Sequence, residues 1–279
     1  MISHPLCCII SLYDRFYGKV VVGVTTDSNG FVGFDQALFI AEKLRAQFVF
    51  DMAQMEGNTA TYPQVETIVH GTSVAGLSMS ETRQIDNINR GWNALLEDLN
   101  IGRFQINKLV AIEYNKLVAE GENRIGYGGS RTGLVAIGGT SYTPPNPLDL
   151  NSSWDALLEQ CNALFDTPLE QSLLLYADMA RNQFFGDGNK RTALLMMNGN
   201  LIRHGLCPIT ITKSREVEYR TALIGYYESP ETYKKILFDF FKEEQQAMLS
   251  RWGYVVSNNS ASIIAPTIDI DRAATKRKG

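Results

Sequence analysis

The sequence predicts a mainly α-helical fold, a helical bundle carrying one small β-hairpin. Three observations predict it. Ile85, Ile88, Trp92, Leu95, Leu96 and Leu99 form one apolar stripe over residues 80–99. Ala193, Leu194, Met197 and Leu201 recur at helical spacing up to Gly205, a glycine placed to end a helix. Among these helical stretches, residues 134–137 and 140–142 flank a two-residue Gly138-Gly139 turn and read as a hairpin.

Taken in order, residues 1–33 read as an N-terminal arm. In it, Val20 to Val24 and then Asp27-Ser28-Asn29-Gly30 suggest a short strand and turn. One helix is expected over 35–55, with Leu38, Ile40, Ala41, Leu44, Phe48 and Met52 apolar and Gly57 ending it. Others are expected over 62–69, 80–99 and 106–119. Residues 124–147 are rich in glycine and close on Pro144-Pro145. Ser153 is expected to cap a helix with Trp154, Leu157, Leu158, Cys161 and Leu164 inward. Thr167 can cap the next, with Pro168 in its first turn and Glu170 three residues on. Residues 209–212 look extended, and Ser214 opens a helix towards Tyr226. Ser229-Pro230 starts the last long helix, over 231–252, which Gly253 stops and in which Ile236, Leu237, Phe240 and Phe241 face inward. The helical domain thus spans 34–253, and 254–279 form a polar tail.

Size and composition narrow the function classes. A chain of 279 residues with 44% hydrophobic and 20% charged residues has the composition of a globular protein. A net charge of −4 gives no reason to expect nucleic acid or an anionic membrane as partner. The apolar run from Leu6 to Leu12 is too short to span a bilayer and lacks a basic leader. Cys7, Cys8, Cys161 and Cys207 show no Cys-x-x-Cys pairing, so reduced thiols and a cytoplasmic location are expected. Three histidines, His4, His70 and His204, argue against an imidazole metal site and suit surface or cap positions.

The chemistry gathers at Gly186-Asp187-Gly188-Asn189-Lys190-Arg191-Thr192, between two strong helix signals. A glycine-rich turn feeding a helix N-terminus aims backbone N–H groups at one point and binds anions, phosphate most often. Lys190 and Arg191 supply positive charge for a polyphosphate, and Asp187 one hard oxygen ligand for Mg²⁺ beside a nucleotide. A helix–loop–helix elbow with solvated charges is the plain alternative. No Gly-x-x-x-x-Gly-Lys-Ser/Thr string occurs, so this is not a Walker loop.

The order of residues resembles the signature of the Fic/Doc family, His-Pro-Phe-x-Asp/Glu-Gly-Asn-Gly/Lys-Arg-x-x-Arg. Phe185, Asp187, Gly188, Asn189 and Arg191 match it, and Lys190 matches the Lys form typical of Doc. Gln183 stands where the family has its catalytic His, and Leu194 where many members carry a second Arg. The resemblance covers about residues 35–250 and implies a Fic-fold helical bundle that transfers AMP from ATP onto a protein hydroxyl of Ser, Thr or Tyr. It implies ATP and Mg²⁺, with Asp187 holding the metal, Gly188 and Asn189 cradling phosphates, Lys190 and Arg191 neutralising charge, and Tyr219 beside the adenine. It implies that the hairpin, through Val135, Ile137, Gly138 and Gly139, is the flap that aligns a target by strand addition. Gly128-Gly129-Ser130-Arg131 before it is similar to the family's Gly-x-x-Arg approach to that flap. Glu56-Gly57-Asn58 looks like the end of the family's inhibitory helix, with Met52 in place of its hydroxyl residue. In the family this Glu pairs with the second motif Arg; Leu194 removes that partner here, leaving a weakened brake or one that uses Arg191. Family members often self-associate. A Gln amide has no useful basicity near neutral pH, whereas a positioned general base is worth roughly 10²–10⁴-fold, so transfer is expected to be slow at best. A Doc-like protein kinase and a non-catalytic nucleotide-binding module stand as alternatives.

Overall fold

Most helix ends in this chain have a local chemical cause. A computed structural model describes residues 24–122 and 128–256. After β1 (Val24–Thr26) come α1 (Phe34–Lys43), α2 (Arg45–Met55), α3 (Tyr62–Val69), α4 (Met79–Asn100) and α5 (Lys108–Val118). A 3-10 turn at Pro147–Asp149 leads into α6 (Leu150–Ala163), α7 (Pro168–Asn182) and α8 (Asn189–Arg203). A second one, Lys213–Arg215, opens onto α9 (Glu216–Glu228), followed by α10 (Pro230–Arg251) and β2 (Tyr254–Val256). Ser78 and Glu81 form a capping box at the start of α4, each side chain accepting the other's backbone N–H at 3.2 and 2.9 Å. Asn107 caps α5 through Val110 N at 2.9 Å. Gly57 and Gly205 follow α2 and α8 with φ of 85° and 71°, a conformation that other residues adopt at a cost.

The core is built around α8, which packs against α7, α5, α4 and α1. Burial on almost every face identifies a central helix, not the one-sided stripe expected from its apolar spacing. Its buried amides are satisfied. Asn198 pairs with both backbone groups of Ile209, at 2.7 and 2.9 Å, and so binds the extended segment 206–212 to the helix. Asn200 donates to Gln171 Oε1 and Ser172 Oγ of α7. A second layer forms where α9 lies on α10, and a third where α2 and α3 flank α4. β1 and β2 pair in parallel, Val24 opposite Tyr254, and join the two ends of the described chain. No helix among the described residues is long and apolar enough to cross a membrane.

Several expectations are corrected. The helix over 35–55 is two helices, because Leu44 leaves helical geometry (φ −97°, ψ 12°) with no Gly or Pro to mark the break. Ser153 does not cap α6. That helix begins at Leu150 behind the Pro147–Asp149 turn, and Ser153 Oγ donates to Asp149 O inside it at 2.9 Å. Thr167 precedes α7 without a side-chain cap, its hydroxyl donating to Leu164 O instead. Ile236 is half exposed while Leu237, Phe240 and Phe241 are buried. The hairpin is not formed as paired strands. Residues 134–137 and 140–146 carry no regular secondary structure on either side of the Gly138-Gly139 turn, with φ of 83° at Gly139. Thr140 Oγ1 and Ser141 N both donate to Glu228 Oε1, and Tyr142 stacks on Tyr227 beneath the Arg181 guanidinium. Expectations for 1–23, 124–127 and 257–279 lie outside the described residues.

Candidate functional site

The turn between α7 and α8 is built by its own amides. Gln183 ends α7 in the left-handed region (φ 49°, ψ 58°), the one non-glycine positive φ among the described residues. That conformation costs a residue with a side chain on the order of 1–2 kcal/mol. Three contacts hold it there. Gln183 Nε2 donates to Ala180 O at 2.6 Å, its Oε1 accepts from Asn189 Nδ2 at 3.1 Å, and its carbonyl accepts from Arg131 Nε at 2.6 Å. Asn189 closes the loop on itself, accepting from Phe185 N at 2.9 Å and donating to Phe185 O at 2.8 Å. Phe184 anchors the apolar side, stacked on Trp154 at 4.2 Å between ring centres. Gly188 is required twice over: its φ is 71°, and a Cβ there would sit 2.9 Å from Ala119 Cβ. Past it, Thr192 N bonds back to Gly188 O at 2.9 Å, so the N–H groups of Asn189, Lys190 and Arg191 lie ahead of the first intrahelical bond.

Arg191 points inward. It donates to Val118 O and Glu122 Oε2, each at 2.7 Å, and to Asp187 Oδ1 at 3.0 Å. Its Nε is buried and meets no acceptor among the described residues. Burial works against its charge, but Glu122, Glu56 and Asp187 outweigh burial and hold the pKa above the ordinary value. Asp187 Oδ1 also accepts from Gly188 N at 2.6 Å, while the carboxylate stays 46% exposed. No cluster of three or more metal-ligating side chains exists among the described residues. A Mg²⁺ held largely by substrate phosphates asks the protein for only one or two carboxylates, and Asp187 fits that requirement.

Lys190 faces the other way and pairs with Glu56 at 3.1 Å. The direct partner of Glu56 is therefore Lys190, with Arg191 acting on it through space. Burial tends to raise the Glu56 pKa, but Lys190, Arg191 and Arg220 carry it below the ordinary carboxylate value. Lys190, but not Glu56, lines a cavity of about 310 Å³, within the range of small-ligand sites. Gln183, Lys190 and Arg220 supply its polar lining. Tyr219, Leu223, Ile224 and Tyr227 of α9 supply most of its apolar lining, and Ala136, Ile137 and Gly138 cover it. Tyr219 is itself buried, its hydroxyl bonded to that of Tyr176. Gly57 and Asn58 lie apart from this space, on a second cavity of about 230 Å³ that Glu56 and Glu122 also line. Val135 and Gly139 belong to the covering segment but do not line the cavity.

Arg220, Tyr227, Glu122 and the carbonyl contacts of Arg131 were not singled out from sequence. The spacing Tyr219, Leu223, Tyr227 along α9 carries a readable signal for one of them. Glu122 carries none, because its partner lies 69 residues away.

Residues 104–201 match the model of the Fic/DOC family. The chain is 27% identical over 194 residues to the protein adenylyltransferase Fic of Aedes aegypti, an alignment covering 66% of this chain and 38% of that protein. It is 28% identical over 184 residues to the Drosophila grimshawi protein of the same name, covering 62% and 36%. The chain thus spans about two fifths of the length of these relatives. A Fic domain containing signaling protein from Bacteroides thetaiotaomicron superposes with a TM-score of 0.66 at 19% identity, over 76% of this chain and 87% of that one. Fic-1 of C. elegans gives 0.63 at 19% identity, over 88% and 73%. The structural matches identify the helical bundle as the Fic fold.

Proposed function

Starting from a chain that belongs to the Fic/DOC superfamily through residues 104–201, we propose that it binds a nucleoside triphosphate with Mg²⁺ and has the active-site frame of a protein adenylyltransferase. One observation carries this reading. Lys190 and Gln183 line the 310 Å³ cavity at the start of α8, whose first N–H groups precede its first intrahelical bond, while the Arg191 guanidinium of the same turn is buried. When bound, Mg²⁺ would neutralise phosphate charge and polarise the phosphoryl oxygens. Asp187 is the residue that would hold it. The N–H groups of Asn189 and Lys190 orient the phosphates, and Arg191 stabilises charge that develops during transfer. Tyr219, Leu223, Ile224 and Tyr227 bury the base and exclude water. The segment around Ala136, Ile137 and Gly138, which lines the cavity, would meet the backbone of a target protein bearing a Ser, Thr or Tyr hydroxyl.

Gln183 limits the reaction. Its amide can orient a hydroxyl but cannot take its proton, and both ends of the amide are already bonded, to Ala180 O and Asn189 Nδ2. Glu56 limits it again, because its carboxylate occupies Lys190, the cation a triphosphate needs. The expected behaviour is weak nucleotide binding and very slow transfer. Calorimetry with Mg-ATP should show binding to this chain, at least tenfold weaker in Asp187→Ala. Gln183→His should label candidate target proteins from α-labelled ATP. Binding without labelling by that variant would favour a second reading, a non-catalytic nucleotide-binding module, which the fixed amide of Gln183 supports. Transfer of the γ-phosphate alone would identify a Doc-like kinase, and absence of binding would remove the proposal altogether.

A further inference from the structure

Two basic residues that touch neither Lys190 nor Glu56 end on the backbone that carries Glu56. Lys213 Nζ donates to Gln54 O at 3.3 Å, and Arg220 NH2 donates to Met55 O at 3.1 Å. These are carbonyls of the last turn of α2, at the negative end of the helix dipole; Gln54 O also accepts from Gly57 N at 3.1 Å. The same two cations share one carboxylate. Glu216 pairs with Lys213 at 2.5 Å and with Arg220 at 2.7 Å. All three lie on the Lys213–Arg215 turn and the first turns of α9, the helix that also forms the wall of the 310 Å³ cavity.

The far side of the same turn is tied down differently. Asn58 is buried, and its Nδ2 donates to Glu81 O and Gln84 Oε1 of α4. Thr59 donates to Glu81 Oε1 through both N and Oγ1. The Glu56 turn is thus clamped between a buried amide anchor on α4 and a solvent-reached ionic clip on α9. Asn58 is 5% exposed, whereas the Lys213 and Arg220 side chains are about half exposed. The clip is the side that can open.

We infer that Lys213, Glu216 and Arg220 form a latch which sets how firmly Glu56 sits on Lys190, with Glu216 as the positioning residue. The inference rests on the nucleotide site proposed above and names its regulation. With the latch closed, the carbonyls of Gln54 and Met55 are held against α9, and Glu56 at the next position meets Lys190. With it open, the end of α2 frays from its Glu56 end, and Lys190 is released to an incoming polyphosphate. A binding partner that draws Lys213 away from α2 therefore loosens the brake without touching the cavity, which Arg220 lines and Lys213 does not.

Two substitutions that open the latch change charge in opposite directions, which separates the latch from simple electrostatics. Glu216→Gln removes a negative charge and Lys213→Met a positive one. Both should tighten Mg-ATP binding by about three- to tenfold in calorimetry, and neither should do so in a Glu56→Gln background. Both should also speed hydrogen exchange of the Gly57 and Asn58 amides, which bond to Gln54 O and Ala53 O, by fivefold or more. Glu216→Asp and Lys213→Arg, which keep the ion pair, should leave both readouts near the parent. Structural damage would weaken binding, so a gain cannot arise from it. Tighter binding by Glu216→Gln but weaker binding by Lys213→Met would overturn the latch in favour of net charge. Unchanged exchange at Gly57 and Asn58 would overturn it outright. If exchange speeds up but no variant binds Mg-ATP, Glu56→Gln included, the latch stands and the nucleotide reading fails.

Discussion

A carboxylate buried with hydrogen bonds but no cation in contact holds its proton more tightly in the folded chain than in the unfolded one. Asp51 is such a group among the described residues. It is 3% exposed, accepts from Gln47 Nε2 at 2.9 Å and Thr210 Oγ1 at 3.0 Å, and burial raises its pKa to about 6. Arg251 and the buried Glu244, both on α10, act on it through space with opposite sign. Because the folded-state value is the higher one, the contribution of Asp51 to stability is complete below the unfolded value of 3.8 and is lost as pH rises through about 6. A shift of this size corresponds to roughly 3 kcal/mol, reduced by imperfect packing of any replacement. Asp51→Asn should therefore be more stable than the parent at pH 8, by about 1–2 kcal/mol in urea unfolding, with the advantage gone near pH 4. A variant less stable than the parent at pH 8 would mean that the ionised form is the one the fold uses. At the same scale stands Gln183, whose strained backbone marks the site before any function is assigned. Its identity was legible in the sequence. Its left-handed geometry was not, since three contacts from Ala180, Asn189 and Arg131 impose it, and Arg131 acts from 52 residues away.

At the level of elements, two opposing magnitudes can be weighed at Gly199 in the middle of α8. Alanine would gain about 1 kcal/mol of helix propensity over glycine. A Cβ there, however, would lie 2.1 Å from Cε2 of Phe104, a ring that is 3% exposed in the connection between α4 and α5. Overpacking of a rigid core costs typically 1–3 kcal/mol and more when the neighbour cannot turn aside. Gly199→Ala should therefore lower stability by about 1–2 kcal/mol in denaturant unfolding, and a Phe104→Leu partner change should recover part of it. Stabilisation by the single substitution would show that Phe104 has room to move. The pair also explains which parts of the fold the sequence exposed. Ends set within four residues, such as those at Gly57 and Gly205, were readable because their causes are local. The bend at Leu44 has no local marker, the start of α6 follows an Asn146-capped turn that the Ser153 reading missed, and the unpaired return leg of the flap depends on distant partners. Glu228 accepts from Thr140 and Ser141, 88 and 87 residues away, on the leg that the hairpin pattern would have paired. For the same reason the parallel pair of β1 and β2 could not be read from either end alone.

For the molecule as a whole, the question is whether the charges around α8 serve the fold or a ligand. The sequence placed Asp187, Gly188, Asn189, Lys190 and Arg191 in one turn, and the folded chain divides them. Arg191 is buried in a network with Glu122, Asp187 and Val118 O, while Lys190 stands at the cavity with one partly exposed partner. An ion pair of the second kind is worth about 1 kcal/mol or less to stability. A ligand bound only by the folded state adds far more: about 2.7 kcal/mol at a hundredfold excess over its Kd, or roughly 5 °C in Tm for a chain of this size. Lys190→Met should separate the two. Its Tm without nucleotide should stay within about 2 °C of the parent, while the rise produced by a fixed Mg-ATP concentration should shrink by half or more. Arg191→Met should instead lose stability before any ligand is added, since it strips Val118 O and Glu122 of their donor. If Lys190→Met lowered the unliganded Tm as far as Arg191→Met did, Lys190 would be a structural cation and the cavity mouth would lose its anion-binding role. A full Mg-ATP response in Lys190→Met would place the phosphates elsewhere on the molecule.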